Sequence, residues 1–314
     1  MPLTQPDPMS LFQFSETQDP FDIKFDYIFK SVFTRDTPAS RGALSSFVSA
    51  LIGRDVSIQI LTANEPPVFD ANQRRVRFDI ACKTETGDFV NIEMSKSPKA
   101  YELERLEYYS NFLHSSQNIQ GVKKDYSDLR ETYQIGILGE SLFVNDPILV
   151  HRFSYNDLEN RVSLNGKTTI ITMEIQKAEL LAEKPVEELT TQEAWSTYFA
   201  YLTDKEKRSR INEILRKEKG IAMASEVLIT ITQEERDTAR RISELKYELD
   251  SQAMLVGAMR ESHAEGREEG LEIGREEGRI ETIKSLLING VAAEQIAIAL
   301  KMPLETVKRI LNVT

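Results

Sequence analysis

The stretch Val76-Arg77-Phe78-Asp79-Ile80-Ala81-Cys82-Lys83 is followed by Glu85-Thr86-Gly87-Asp88 and then by Phe89-Val90-Asn91-Ile92-Glu93-Met94-Ser95. Two runs rich in apolar and β-branched residues flank a polar turn that contains a glycine, which is the spacing of a β-hairpin. Side chains alternate faces along a strand. Asp79 then shares a face with Ala81 and Lys83, while Phe78, Ile80 and Cys82 take the other. On the partner strand Asn91, Glu93 and Ser95 share a face, opposite Val90, Ile92 and Met94. Acids on surface hairpins often have no special task. Two carboxylates converging from neighbouring strands, however, offer hard oxygen ligands for a divalent cation such as Mg²⁺. Such a cation activates water and neutralises charge on a phosphodiester.

Working outward, Phe25, Ile28, Phe29, Val32 and Phe33 recur at helical spacing until Thr37-Pro38 breaks the run. Leu44, Phe47, Val48 and Leu51 do the same until Gly53. Asp26 and Lys30 are four residues apart and so lie on one helical face. Val56 to Leu61 reads as a strand, Asn64-Glu65-Pro66-Pro67 as a turn, and residues 99–116 as a helix carrying Tyr108 and Tyr109. The tyrosines read as core packing, with base stacking the rarer use. Strands predicted at 133–139, 147–154 and 168–176 complete a mixed sheet. The last contains Glu174-Ile175-Gln176, a second acid in strand context, but no acid-bearing strand with a short turn precedes it.

Taken in order, Asp26 to Phe33, Arg77-Phe78-Asp79-Ile80, Asn91-Ile92-Glu93-Met94, Arg105 to Tyr109 with Gln117, and Tyr133 to Leu138 resemble the PD-(D/E)XK nuclease superfamily. Within it the chain is most similar to the recombination-promoting nuclease (Rpn) and transposase group. The likeness spans about Phe21 to Trp195. It implies an α/β fold, a restriction-endonuclease-like mixed β-sheet flanked by helices, followed by an all-α C-terminal extension. It also implies metal-binding roles for Asp79 and Glu93, with Asp26 as an extra acid from the first helix. The superfamily places Lys two residues after the glutamate, and the Rpn-like group usually Gln; this chain has Ser95. Ser95 can hydrogen-bond water or phosphate but supplies no charge. Lys30 or Lys83 is the expected substitute for steadying phosphate.

The 314 residues suffice for a sizeable core and for two domains. Hydrophobic residues at 40% and charged residues at 28% read as a soluble globular chain. No apolar run approaches the ~20 residues that span a bilayer. The opening residues lack the basic-then-apolar pattern of a signal peptide. The single cysteine, Cys82, excludes an intrachain disulfide and suits a reducing compartment, so the expected location is cytoplasmic. His114, His151 and His263 carry no zinc-ligand spacing, and no phosphate-loop motif occurs. A net charge of −11 argues against a surface that attracts nucleic acid everywhere, though not against a local groove. Candidate groove residues are Arg74, Arg75, Arg77, Lys96, Lys99, Lys123 and Lys124, with a further cluster at Lys205, Lys207, Arg208 and Arg210.

From about Thr203 charges become dense and strands vanish. Four parts are expected: a loose tail at 1–20, a nuclease-like core at 21–203, a helical extension at 204–289, and a small helix-turn-helix-like unit at 290–314. In the extension Gly266, Gly270, Gly274 and Gly278 recur among Glu and Arg. Each Gly weakens an isolated helix by ~1 kcal/mol against Ala. Either a semi-helical connector or a self-association helix follows. In the last unit Ala293–Leu300 and Leu304–Leu311 are joined through Met302-Pro303, and Lys308 and Arg309 lie on the second helix.

The leading expectation is a Mg²⁺-dependent DNA endonuclease linked to recombination or mobile elements. Asp79, Glu93 and Asp26 would bind metal, and Lys30, Lys83 and Ser95 would complete the site. Its partners would be DNA and, through the C-terminal helices, a second copy, with no membrane. The alternatives are an inactive relative that binds DNA or protein, favoured by Ser95, and an oligomerising structural protein, favoured by the acidic balance and the glycine-rich helix.

Overall fold

A computed structural model describes residues 12–62, 76–117, 119, 125–164 and 166–312. The turn at 64–67, Arg74, Arg75, Lys123, Lys124 and most of the expected tail lie outside them. Helices α1 (Asp26–Thr34) and α2 (Pro38–Ile52) lead to strands β1 (Ile58–Leu61), β2 (Ile80–Thr84) and β3 (Phe89–Ser95). Helix α3 (Glu102–Ser115) then precedes β4 (Thr132–Leu138), β5 (Val150–Phe153) and β6 (Thr168–Glu174). The remaining helices are α4 (Thr191–Tyr201), α5 (Arg208–Lys217), α6 (Lys219–Ile229), α7 (Gln233–Ile288), α8 (Ala293–Ala299) and α9 (Leu304–Asn312).

The six strands form one mixed sheet in the order β1-β2-β3-β4-β6-β5. The β1, β2 and β3 strands pair antiparallel, β3, β4 and β6 parallel, and β5 antiparallel on the far edge. A parallel β3–β4 pair needs a crossover, which α3 supplies. Val90, Ile92, Met94, Ile135, Ile137, Ile171 and Met173 face a core shared with α1, α2, α4, α5 and α6. At its centre Phe33, Phe47, Trp195 and Phe199 touch ring to ring, with Trp195 stacked on Phe199 at 5.6 Å. The opposite face carries α3, where Val76, Phe78, Ala81, Phe112 and Leu113 form a second cluster.

Local choices in the sequence explain these boundaries. Thr37 caps α2 by accepting from Ser40 N, Pro38 takes the first turn, and Gly53 closes the helix in the left-handed region. Gly87 gives the hairpin turn its φ of 85°. At Gly139 an added Cβ would lie 2.1 Å from the Lys96 carbonyl oxygen, so only glycine lets the end of β4 pass the end of β3.

One expectation changes here. Phe78 joins the α3-side cluster and not the face of Ile80 and Cys82, because the chain enters β2 only at Ile80 and alternation does not extend back to it. Ile211, Ile214, Leu215, Ile221 and Val227 of α5 and α6 are buried in the first core. Charge density concealed this: Glu213, Arg216, Lys217 and Glu226 of these helices are exposed, whereas Arg208 is buried against the Phe14 ring.

The chain divides into two compact units between Ser243 and Glu244. In the second unit Ile283, Ile296, Ala297 and Val307 form a small core joining the end of α7 to α8 and α9. Helix α7 continues through the four glycines, and an added Cβ at any of them meets nothing within 4 Å. Gly290, at φ 83°, ends the helix, and Val291 N donates to Leu286 O at 3.0 Å. Among the described residues no helix is long and apolar enough to cross a membrane.

Candidate active site

The hairpin register sets Ile80 against Ile92, which brings Asp79, at the bend before β2, beside Glu93. The two acids are cross-linked through backbone. Asp79 N donates to Glu93 Oε1 at 3.1 Å, and Met94 N donates to Asp79 Oδ2 at 3.0 Å. Both side chains are buried, Glu93 almost completely. Asn91, two residues before Glu93 on the same face, donates to Glu93 Oε1 at 3.0 Å and to Gln134 Oε1 at 2.9 Å. It fixes the carboxylate against the neighbouring strand.

Helix α1 delivers Lys30, whose Nζ lies 2.9 Å from Asp79 Oδ1 and 3.0 Å from Asp26 Oδ1. The i,i+4 spacing of Asp26 and Lys30 makes the shared ammonium possible. Asp26 Oδ1 is itself buried, with the Lys30 ammonium beside it. Helix α3 delivers Arg105. Its Nη1 lies 3.3 Å from Glu93 Oε2, while Nε lies 3.2 Å from Glu102 Oε1 and Nη2 meets the same oxygen. The guanidinium carbon sits 5.4 Å from the centre of the Tyr109 ring.

The electrostatics follow from this crowding. Burial, reinforced by Asp26, raises the Asp79 carboxyl above its ordinary range against the pull of Lys30. Burial and then Asp79 push Glu93 up to about 8, against Arg105. Burial works to lower Lys30, but Asp79 and Asp26 outweigh it and the ammonium is held above its usual value. Arg105 is likewise raised, Glu93 and Glu102 outweighing burial. The site therefore concentrates more negative charge than its two cations relieve.

That imbalance, the hard oxygen donors and the buried Asp26 oxygen fit a divalent cation. Among the described residues no three Asp, Glu, His or Cys side chains are grouped as a ready cation cage. Each oxygen of Asp79 and Glu93 instead meets an N–H donor, so a cation approaching Asp79 Oδ1 or Glu93 Oε2 competes with Lys30 or Arg105.

The other expected residues are placed elsewhere. Lys83 lies at the turn end of β2, with Nζ 4.2 Å from the centre of the Phe89 ring. Four positions from Asp79, it is ~13 Å away along the strand at about 3.3 Å per residue and is not brought to the acids. Ser95 ends β3 opposite Leu138, its carbonyl accepting from Gly139 N at 2.8 Å. Lys96 pairs with Asp22 at 3.1 Å. Arg208 and Arg210 serve the fold, binding the carbonyls of Leu202 and Gln18, and of Leu181 and Lys184. Glu174 ends β6, two strands from β3, and its Oε1 accepts from Leu142 N and Phe143 N while Lys177 pairs with it. Reading the sequence missed Arg105 and Glu102 as members of the site. Their i,i+3 spacing was visible, but the face that α3 turns to the sheet is set by Leu106 packing on Gly136.

The family model for PD-(D/E)XK nuclease family transposases matches residues 23–258. No curated protein and no solved structure matches the chain.

Proposed function

The chain belongs to the PD-(D/E)XK nuclease family of transposases, and we propose that it is a Mg²⁺-dependent DNA endonuclease of the Rpn type, cytoplasmic and linked to recombination or mobile elements. The observation that carries this reading is the pair Asp79 and Glu93, joined across the hairpin by the 3.1 Å and 3.0 Å backbone bonds. Asp79 and Glu93 would hold the cation, with Asp26 close behind Lys30. When bound, the cation supplies charge neutralisation at the phosphodiester and a more acidic water. Asn91 and the Met94 N–H hold the carboxylates in place. Lys30, 27% exposed, presents an ammonium to the phosphate side of the site. The division into tail, core, extension and terminal unit is part of the same proposal, with α9 offering exposed Lys308 and Arg309 to DNA or to a second copy.

One observation favours an inactive relative that binds DNA or protein: Ser95 carries no charge where the family has Lys or Gln. Cleavage of supercoiled plasmid with and without Mg²⁺, repeated on Asp79→Ala and Glu93→Ala, separates the two. Mg²⁺-dependent nicking lost in both variants supports the endonuclease. Absence of nicking by the unmodified protein, with DNA binding retained, supports the relative that only binds.

A further inference from the structure

Ser95 leaves the site without the side chain that follows the glutamate elsewhere in the family, and Lys83 is held at the far end of its strand. Lys30 is bound by two carboxylates at once. Arg105 is held differently. Its Nε and Nη2 face Glu102, and its Nη1 alone faces Glu93. Glu93 and Glu102 are 2% and 3% exposed, whereas Arg105 is 26% exposed and so borders solvent. A cation arriving at Glu93 competes with Nη1 for Oε2. Glu102 and the Tyr109 ring keep the guanidinium in place after that contact is lost, with Nη1 released.

Resting on the nuclease reading, we propose that Arg105 is a further phosphate-binding cation of this site beside Lys30, tethered by Glu102, and that it occupies Glu93 until a divalent cation takes its place. A planar guanidinium with two of its nitrogens anchored and one free is suited to a phosphate oxygen. The helix thereby supplies the positive charge that the strand lacks at Ser95.

The test is Mg²⁺ titration by calorimetry on the full chain, with single-turnover cleavage of a labelled DNA duplex at saturating Mg²⁺. Arg105→Gln removes the competitor and is expected to bind Mg²⁺ several-fold more tightly, yet to cleave at least tenfold more slowly. A residue that only supports the fold would weaken Mg²⁺ binding or leave it unchanged, and either result overturns the proposal. Arg105→Lys keeps the charge without the fork to Glu102. It is expected to bind Mg²⁺ as the unmodified protein does and to cleave more slowly, and it carries the test should Arg105→Gln fail to fold. Unimpaired cleavage by either variant overturns the proposal. Asp79→Asn separates the two readings. If it binds Mg²⁺ normally, the metal site itself is misplaced. If it loses Mg²⁺ while Arg105→Gln shows no tightening, only the assignment of Arg105 fails. No cleavage by the unmodified protein overturns both.

Discussion

Glu93 and Glu174 are both buried glutamates near the C-terminal ends of parallel strands with β4 between them, and their surroundings could hardly differ more. Glu174 accepts from the backbone of Leu142 and Phe143 and pairs with buried Lys177, which in turn donates to Ile148 O at 2.8 Å. It anchors the loop between β4 and β5. Glu93 instead stands beside Asp79, a second acid that raises its proton affinity, with a partly exposed arginine as counter-ion. The local spelling Glu174-Ile175-Gln176 matches the family pattern better than Glu93-Met94-Ser95. What distinguishes them is the partner strand. Only Glu93 has an acid-bearing neighbour one hairpin away, and unrelieved negative charge is what a cation site requires.

The largest effect expected from this contrast is on cation binding. Glu93→Gln should lower Mg²⁺ affinity at least ~100-fold, since a direct ligand matters at least as much as the outer partners whose loss costs 10–100-fold. Glu174→Gln should leave it unchanged, and calorimetry would read both. Equal losses in the two variants would erase the distinction.

Stability should respond in the reverse order. Glu174→Gln leaves the Lys177 ammonium, 6% exposed, without its counter-charge. Breaking a buried pair in this way costs about 3 kcal/mol, or roughly 6–12 °C in a thermal melt. A melt within a degree or two of the unmodified protein would remove Glu174 as a loop anchor.

Proton linkage sharpens the comparison further. With Glu93 near 8, cation binding below that pH must expel a proton. Mg²⁺ affinity should therefore rise between pH 6.5 and pH 8, by up to roughly tenfold per unit, and level off above. A flat profile would remove Glu93 from the cation site.

The smallest effect concerns the metal-free fold. Glu93 has an ordinary value of 4.5 and a raised one in the folded chain, so the folded state binds the extra proton between them. Stability then falls as pH rises from about 4.5 to about 8. Asp79→Asn removes one source of the shift and should stabilise the metal-free protein by ~1 kcal/mol at pH 8, with less gain at pH 5. Destabilisation at pH 8 would mean that Lys30 and Asp79 form a structural pair first and a site second.

Much of this was legible before any coordinates. Alternation in Phe89–Ser95, the Gly87 turn and the helical spacing of Phe25 to Phe33 depend on neighbours in sequence, and each element lies where those rules put it. The parts that were not legible depend on tertiary packing. Arg105 reaches Glu93 because Leu106 seats α3 over Gly136, and no spacing within α3 reveals that. Helices α5 and α6 join the first core through Ile211, Ile214 and Ile221, although their charge density reads as an exposed extension. Lys83 reads as sharing a strand face with Asp79, yet Asp79 precedes β2 and strand rise carries Lys83 to the Phe89 ring.

The most direct test is single-turnover cleavage of a labelled DNA duplex in Mg²⁺ by the unmodified chain, Glu93→Gln and Glu174→Gln, each checked for folding. Cleavage by the unmodified chain and by Glu174→Gln, with at least ~100-fold loss in Glu93→Gln, is the predicted result. Cleavage that survives in Glu93→Gln, or is lost only in Glu174→Gln, would contradict the assignment of the Asp79 and Glu93 pair.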